Sequence, residues 1–235
     1  MAGRSYGQYC GVASALDLVG ERWALLIVRD LLVGPRRYSD LQAGLPRIPT
    51  NILSARLKEL QAGGVVRRAP VVRGGYELTA YGRELEDVVL ALGRWGFKSM
   101  GEPQDGDVVT SDSLTMAFRT AFVPDAARRR PDATYVVHVG DVSLVVRVER
   151  GRLAVVPLNG AVPAALAAVR DDALAHVDLE FAAGPGIRDV ISGELSGAEA
   201  IERDVVHIVH GDPDMLDRFG QTFHLEPAVP PSSDR

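Results

Sequence analysis

The sequence predicts an α+β protein of two domains: a mostly helical first part that ends in a β-hairpin, and a second part that mixes a sheet with short helices. Apolar residues recur at helical spacing through most of residues 1–101, and alternating strand patterns appear only later. A stretch rich in Gly, Pro and acid at 101–107 separates the two parts. We therefore expect domains at 1–101 and 108–225, followed by a disordered tail at 226–235.

The composition is that of a soluble protein with a large core. Hydrophobic residues make up 46% of the 235 residues and charged residues 24%. No apolar run approaches the roughly 20 residues of a membrane-spanning helix, and Met1 to Gln8 lacks the apolar segment of an export signal. The single cysteine, Cys10, excludes an internal disulfide and suits a reducing compartment. We expect a cytoplasmic protein with no membrane partner.

The charge of the chain is unevenly distributed. The net charge is −5, yet residues 1–101 carry 14 Lys and Arg against 9 Asp and Glu, whereas residues 102–235 carry 12 against 22. A basic first domain can approach phosphate groups while an acidic second domain is held away from them. Many soluble domains carry such a charge by chance, so a nucleic-acid partner has to be argued from the local pattern.

Four helices are predicted before the hairpin. The first ends at Gly20, and the second covers Trp23 to Val33, which is apolar almost all round and therefore buried. The third starts at Ser39, where Gln42 three residues later completes a capping box. The fourth runs from about Pro49 to Gln61 and is closed by two glycines.

A hairpin and one more helix follow. Val65 to Ala69 and Tyr76 to Leu78 read as two short strands, and Thr79 caps a single long helix. Three arginines mark the hairpin: Arg67 and Arg68 at its base and Arg73 near its tip. Helices, a hairpin and another helix in this order describe a winged helix-turn-helix, mostly α with a β-hairpin wing.

The fourth helix has two distinct faces. Its core face consists of Leu53, Leu57 and Leu60. At about 100° per residue, the opposite face consists of Asn51, Ser54, Ala55 and Lys58. This face is small and polar and carries no acid, as a helix that enters the major groove requires. An isolated helix of this kind is more often simply solvated, but the arginine-bearing hairpin favours DNA. Arg56 flanks the core side and is expected to pair with an acid such as Asp40 or Glu59.

Several blocks of the first domain occur in the order of a known family. They are Cys10–Val12, Ala15–Gly20, Arg22–Trp23, Leu25–Leu32, Gly34–Leu41, Leu53–Leu60, Tyr76–Thr79, Gly82–Arg83 with Leu85, and Leu92–Gly96. Together they resemble the HxlR family of winged-helix regulators, relatives of the MarR group, over about residues 9–97. The resemblance implies a homodimer built from the first and last helices of the domain. It also implies a recognition helix in the major groove of duplex DNA, with the wing along the backbone or minor groove.

The expected DNA contacts combine this resemblance with the helix wheel. They are Arg36, Arg37, Arg47, Thr50, Asn51, Ser54, Ala55, Lys58, Arg67, Arg68 and Arg73. The chain departs from the family at Gly11, where a proline is usual, at Glu21, where a glycine is usual, and in a shorter wing. At the start of the recognition helix, Pro49-Thr50-Asn51 stands where the family usually has Ser-Pro-Lys. An asparagine there can form two hydrogen bonds to adenine, so the family's operator preference need not apply.

Cys10 is a redox candidate. Some members of the family use a cysteine at this position as a redox sensor, and the alternative is a small packed residue near the dimer interface. A sensing thiol needs a pKa lowered by nearby cations or a helix N-terminus. Cys10 lies near the start of the first helix, and Arg4 is the nearest cation in sequence.

The second part alternates strands and short helices. Predicted helices cover Ser111–Phe122, Pro185–Ile191, Ala198–Ile201 and a last segment with Asp212 as N-cap and Pro213 as first helical residue. Predicted strands cover Ala133–Gly140, Asp141–Arg147, Arg152–Val156, Val177–Phe181 and Val205–Val209. This order resembles a sterol-carrier-protein-like domain, most specifically at Gly193–Ala200 and Gly211–Pro213.

That resemblance implies an apolar tunnel for a lipid or a similar ligand. Its candidate walls are Phe118, Phe122, Met215, Phe219 and Phe223. The alternative is that these side chains simply fill a core.

No catalytic residue, metal site or cofactor is predicted. His207 and His210 lie three apart on a predicted strand, which sends them to opposite faces, and no nucleophile elbow or phosphate loop is present. We therefore expect a sequence-specific DNA-binding regulator that is not an enzyme, acts as a homodimer and is gated by a hydrophobic ligand in its second domain. The alternative is a carrier of hydrophobic ligands whose helical domain serves only for dimerisation.

Overall fold

The computed structural model describes residues 5–101, 103–158 and 164–227. The chain divides into two compact units, Met1–Leu90 and Ala91–Arg235. The sequence placed the boundary at 101–107, whereas this division falls inside the helix Glu86–Phe97. Residues 228–235 of the expected disordered tail and Arg4 beside Cys10 lie outside the described residues.

The first unit contains the predicted helices and hairpin, which confirms the winged helix-turn-helix. Its elements are α1 (Gly11–Val19), α2 (Ala24–Val33), β1 (Arg36–Arg37), α3 (Tyr38–Gly44), α4 (Thr50–Ala62), β2 (Val66–Arg68), β3 (Gly75–Leu78), α5 (Ala80–Arg83) and the start of α6 (Glu86–Phe97). The three strands form an antiparallel sheet in the order β1–β3–β2. The strand β1 was not predicted, because two residues are too few to show an alternating pattern.

The capping box predicted at Ser39 and Gln42 is wrong. The helix α3 begins one residue earlier, and the Asp40 carboxylate accepts the backbone N–H of Arg37 at 2.9 Å. The Gln42 side-chain amide instead donates to the carbonyl of Ile48 at 3.1 Å. A carboxylate in the first turn is favoured over an amide because it also interacts with the positive end of the helix dipole.

The single long helix predicted after Thr79 is also wrong, although Thr79 is a cap. Its hydroxyl accepts the N–H of Gly82 at 3.0 Å and donates to the carbonyl of Gly64 at 2.6 Å. The helix is then interrupted between α5 and α6. There the backbone N–H groups of Glu84 and Leu85 donate hydrogen bonds to the carbonyls of the residues three positions earlier. These tighter turns replace the α-helical pattern and separate the two helices.

The core of the first unit lies under α4, as predicted. Leu53, Leu57 and Leu60 are 0–1% exposed, and α4 contacts α1 and the strand β2 of the hairpin. Asp30 of α2 is also fully buried, and the Arg29 guanidinium donates to its carboxylate through Nε at 2.8 Å. A buried carboxylate needs such a charged donor because its desolvation is costly.

The second unit is a five-stranded sheet with helices packed against it. Its elements are α7 (Ser111–Ala121), α8 (Pro124–Arg128), β4 (Ala133–Val139), β5 (Val142–Glu149), β6 (Arg152–Pro157), α9 (Ala164–Leu174), β7 (Leu179–Ala183), α10 (Ile187–Ser192), α11 (Gly197–Glu202), β8 (Val206–Gly211) and α12 (Met215–Thr222). The strand order is β6–β5–β4–β7–β8. Only the β4–β7 pair is parallel; the other neighbours are antiparallel.

One prediction for the second unit is wrong, and two of its helices were not predicted. The helix α12 begins at Met215, because Asp212 and Pro213 form a turn in which the Asp212 carboxylate accepts the N–H of Asp214 at 3.0 Å. The sequence analysis missed α8, which is short, and α9, whose alanine-rich sequence has little apolar periodicity.

The aromatic residues assigned to a ligand tunnel pack against one another. Phe118, Phe219 and Phe223 are 0–2% exposed, and their ring centroids lie 4.8–5.8 Å apart. Phe122 and Met215 are half-buried at the margin of the same cluster. Edge-to-face contacts of this kind stabilise a core beyond the area they bury. The structure therefore places Phe118, Phe219 and Phe223 in the centre of the hydrophobic core.

We expect Gly82→Ala to destabilise the first unit. A Cβ at Gly82 would lie 2.1 Å from the carbonyl oxygen of Val65, so the junction of hairpin and α5 would have to move. The free energy of unfolding should fall by about 1–3 kcal/mol in urea titrations followed by circular dichroism. Gly11→Ala is the matched control, because its Cβ meets no atom within 4 Å. Equal effects of the two variants would contradict the packing described here.

We expect Tyr135→Phe to remove an alkaline instability of the second unit. The Tyr135 hydroxyl is buried without an acceptor among the described residues, and burial raises the pKa of Tyr135 to about 12. Tyrosine ionises near pH 10 in the unfolded chain, so the free energy of unfolding of the wild type should fall by roughly 3 kcal/mol at most between about pH 10 and 12. The variant should lack this loss and match or exceed wild type at neutral pH. A Tyr81→Phe control, at an exposed tyrosine, should keep the loss.

Candidate nucleic-acid interface

The helix α4 presents the face that the sequence assigned to DNA. Asn51, Ser54 and Lys58 are exposed, Ala55 is half-buried, and the three core leucines point the other way. Within the described part of the chain, the side chains of Asn51 and Lys58 form no hydrogen bond. This face therefore offers an amide and an ammonium group whose donors remain available to a ligand.

A tyrosine that the sequence analysis missed fixes the start of α4. The hydroxyl of Tyr38, the first residue of α3, donates to the carbonyl of Thr50 at 2.8 Å and lies 3.2 Å from the hydroxyl of Ser54. These contacts tie the two helices together at the end that carries Thr50 and Asn51. The sequence gives little indication of this contact, because Tyr38 precedes the predicted third helix and lies 12 residues from Thr50.

The three-stranded sheet brings distant arginines together. Arg36 of β1 and Arg68 of β2 both pair with Tyr76 on the central strand, so they share one face of the sheet. The Arg68 guanidinium lies 4.2 Å from the centroid of the Tyr76 ring. The hairpin and β1 thus form one cationic surface. The sequence alone does not show that these distant arginines lie together.

The remaining predicted cations differ in how far they are engaged by the protein. Arg67 donates to the nearly buried Glu77 carboxylate at 2.8 Å, which offsets part of its charge. Arg73 is exposed near the tip of the wing, beside Gly74 with its φ of +71°. Arg37 is exposed at the start of α3, and Arg47 is exposed in the loop before α4.

Arg56 has a structural partner on α4 itself. Its guanidinium forms an ion pair with Glu59, one of the two acids expected from the sequence, and lies 3.8 Å from Glu21. The ion pair neutralises the negative charge of Glu59 near the exposed polar face of α4.

Cys10 is exposed at the N-terminal end of α1. The backbone N–H groups of Ala13 and Val12 hold the pKa of the Cys10 thiol below its ordinary value, because they stabilise the thiolate. A thiolate is the form that reacts with oxidants and electrophiles.

The second unit contains a hydrogen-bonded chain that the sequence analysis did not anticipate. On the face of the sheet away from the aromatic core, His138 Nδ1 lies 2.7 Å from the Ser143 hydroxyl and His138 Nε2 lies 2.9 Å from the Glu180 carboxylate. The three residues belong to three neighbouring strands, so their side-chain hydrogen bonds help to hold β5, β4 and β7 in register. Cross-strand polar pairs have no signature in the linear sequence.

Metal and membrane sites were searched over the described residues. No group of three or more His, Cys, Asp and Glu side chains there could hold a metal ion. Among the same residues, no helix is both long and apolar enough to cross a membrane.

The first unit resembles known regulators. Residues 18–104 match the family model described as HxlR-like helix-turn-helix. The uncharacterized HTH-type transcriptional regulator YvaP of Bacillus subtilis is 40% identical over 85 residues, which are 34% of this chain and 79% of that protein. YdeP of the same organism is 34% identical over 95 residues, which are 38% of this chain and 73% of that protein.

Among solved structures, the crystal structure of quinone-bound YodB from B. subtilis is 35% identical in sequence, with a TM-score of 0.33. The match covers 36% of this chain and 93% of the YodB chain. The family model ends at residue 104, so the sterol-carrier-like nature of the second unit stays a prediction. The winged helix-turn-helix and the identity to YvaP and YdeP over most of their length lead to one conclusion. The chain belongs to the HxlR family of helix-turn-helix transcriptional regulators.

Proposed function

We propose that this regulator binds a specific duplex sequence as a homodimer, with α4 in the major groove. The observation that carries the proposal is the two-sided α4: its leucines are buried, and its opposite face is exposed, small and free of acid. The Asn51 amide can bond adenine, and Lys58 can bond guanine or a phosphate. Thr50, Ser54 and Ala55 allow close approach of the helix.

The wing and the loops supply the proposed backbone contacts. Arg36, Arg37, Arg47 and Arg73 are the cations that we assign to phosphates on either side of the groove. Glu77 and Tyr76 engage Arg67 and Arg68, so we expect these two arginines to contribute less to affinity than the exposed Arg37 and Arg73. Phosphate contacts position the protein, whereas α4 selects the sequence.

Exposed apolar side chains on α1 and α6 support the dimer. Val12 and Leu16 on α1 are 69% and 42% exposed, and Val88, Leu92 and Trp95 on α6 are 46%, 44% and 73% exposed. No described residue of α6 is buried, although its sequence is apolar. Apolar helix surfaces of this kind mark interaction sites. A two-fold dimer implies half-sites about one helical turn apart.

Ligand gating through the second unit and redox sensing at Cys10 stay predictions. A hydrophobic effector in the second unit would have to displace rings that now fill its core. Exposure and a lowered pKa support a reactive Cys10. The carrier alternative predicts ligand binding without any sequence-specific DNA complex.

We expect Asn51→Ala and Lys58→Ala to weaken operator binding in different ways. Asn51→Ala should cost about 1–3 kcal/mol and relax sequence preference at one base pair. Lys58→Ala should weaken binding and reduce the salt slope by about one. Fluorescence anisotropy with DNA from upstream of the gene, at several salt concentrations, measures both. Arg83→Ala, a cation away from α4, is the control. Wild-type affinity in both α4 variants would exclude α4 as the helix that reads the operator.

We expect Val88→Glu to dissociate the dimer. The change places a charge on the exposed apolar side of α6, where a partner would desolvate it. The dissociation constant should rise at least tenfold, about 1.4 kcal/mol, in analytical ultracentrifugation. Val71→Glu is the matched control, because Val71 is 83% exposed on the wing and should tolerate the same substitution. Equal dissociation constants for the two variants would exclude α6 from the interface.

A further inference from the structure

The hydroxyl of Ser54 takes part in a short series of hydrogen bonds at the start of α4. The Tyr38 hydroxyl lies 2.8 Å from the carbonyl oxygen of Thr50 and 3.2 Å from the hydroxyl oxygen of Ser54. Ser54 is exposed on the polar face of α4, and Tyr38 is half-buried at the start of α3. One phenol therefore contacts both the backbone of the helix and a side chain that the sequence assigned to DNA.

These three oxygen atoms have only two hydroxyl protons between them. A carbonyl oxygen can only accept, so the bond to Thr50 uses the single proton of the Tyr38 hydroxyl. The Tyr38 oxygen can then only accept from Ser54, and the Ser54 hydroxyl has to donate its own proton. The direction of donation is thus from Ser54 to Tyr38 and from Tyr38 to Thr50.

This direction determines what Ser54 offers to a ligand. A free serine hydroxyl rotates, and it donates or accepts as its partner requires. The proton of Ser54 is instead directed at Tyr38, which leaves only oxygen lone pairs for the exposed side. Among the residues that the structure describes, the Ser54 hydroxyl has no second hydrogen-bond partner. Its exposed side is therefore an acceptor that has no proton to donate.

The bases of duplex DNA respond differently to such an acceptor. In the major groove, adenine and cytosine present an amino group that donates, whereas guanine and thymine present a carbonyl oxygen that accepts. A hydroxyl that only accepts can bond the amino group but is repelled by the carbonyl oxygen. Each base pair contains one base of each kind, so this contact distinguishes which strand carries the amino base.

We propose that Tyr38 makes Ser54 a selective acceptor, which prefers adenine or cytosine over guanine or thymine at one position of each half-site. Tyr38 is a positioning residue, because it acts through Ser54 and needs no contact with DNA. The inference rests on the proposed function, in which α4 lies in the major groove, and adds the class of base that Ser54 selects. The alternative is a serine that is solvated in the complex and reads no base.

A randomised duplex pool tests the class of base. The full-length protein and its Ser54→Ala variant are each mixed with the pool, and the bound duplexes are sequenced. Ser54 reads the position at which Ser54→Ala removes the base preference. There the wild type should favour adenine or cytosine by at least about fivefold, the lower end of the effect of one wrong base pair. A preference for guanine or thymine, or an unchanged profile in Ser54→Ala, would overturn the proposal.

Tyr38→Phe tests the source of the preference, because it removes one oxygen atom and keeps the ring. The Ser54 hydroxyl can then rotate and donate to guanine or thymine. Fluorescence anisotropy with duplexes that differ only at this position should show a preference within about twofold. The guanine and thymine duplexes should bind the variant more tightly than the wild type. Tyr81→Phe, at an exposed tyrosine of α5, is the matched control and should keep the wild-type preference.

The outcomes separate the hydrogen-bond polarity of Ser54 from a general anchoring of α4. If Tyr38 only anchored the helix, Tyr38→Phe would weaken all duplexes by a similar factor and keep the preference, which would overturn its proposed role. If the variant fails to fold by circular dichroism, the wild-type and Ser54→Ala profiles still decide whether Ser54 accepts from a base.

Failure of the inference is distinguishable from failure of the proposed function. A sequence-specific complex without the preference for adenine or cytosine would reject the inference alone. Absence of any sequence-specific complex with the wild-type protein would reject the proposed function and the inference with it.

Discussion

The burial of one face of α4 is the constraint on which the regulator depends. Leu53, Leu57 and Leu60 are almost inaccessible to solvent, and successive helix side chains are about 100° apart. Burying the leucines therefore fixes the direction in which Asn51 and Lys58 point. Tyr38 adds an anchor at the N-terminal end of the helix, where its hydroxyl bonds the carbonyl of Thr50. Core packing and the proposed DNA recognition thus depend on the same helix geometry.

The arginines of the first unit divide their charge between structure and recognition. Arg56 is paired with Glu59, Arg67 with Glu77, and Arg68 lies over the ring of Tyr76. A count of basic residues therefore overstates the charge available to phosphate. The pairs hold the wing and α4 in shape, and the remaining exposed cations, such as Arg37 and Arg73, extend from that scaffold. Removing a paired arginine should accordingly affect folding as well as binding.

The second unit follows a different principle. Its sheet is closed on one side by a cluster of aromatic rings, and the opposite side carries the Ser143–His138–Glu180 chain. The cluster leaves the Tyr135 hydroxyl buried without a partner among the described residues. Because burial disfavours the ionised phenolate, the free energy of unfolding should fall at high pH. Phe118, Phe219 and Phe223 stabilise the unit through contacts with one another.

The sequence by itself determined the first four helices, the hairpin, the core face of α4 and the family, because these depend on short-range periodicity and on residues in a fixed order. It misplaced the cap of α3 and the start of α12, where a nearby carboxylate decided between alternatives one or two residues apart. Only the tertiary structure decided the pairing of β1 with the wing and the contact of Tyr38 with the start of α4. Each joins residues that are distant in the chain, and contacts between such residues arise only when the elements pack together.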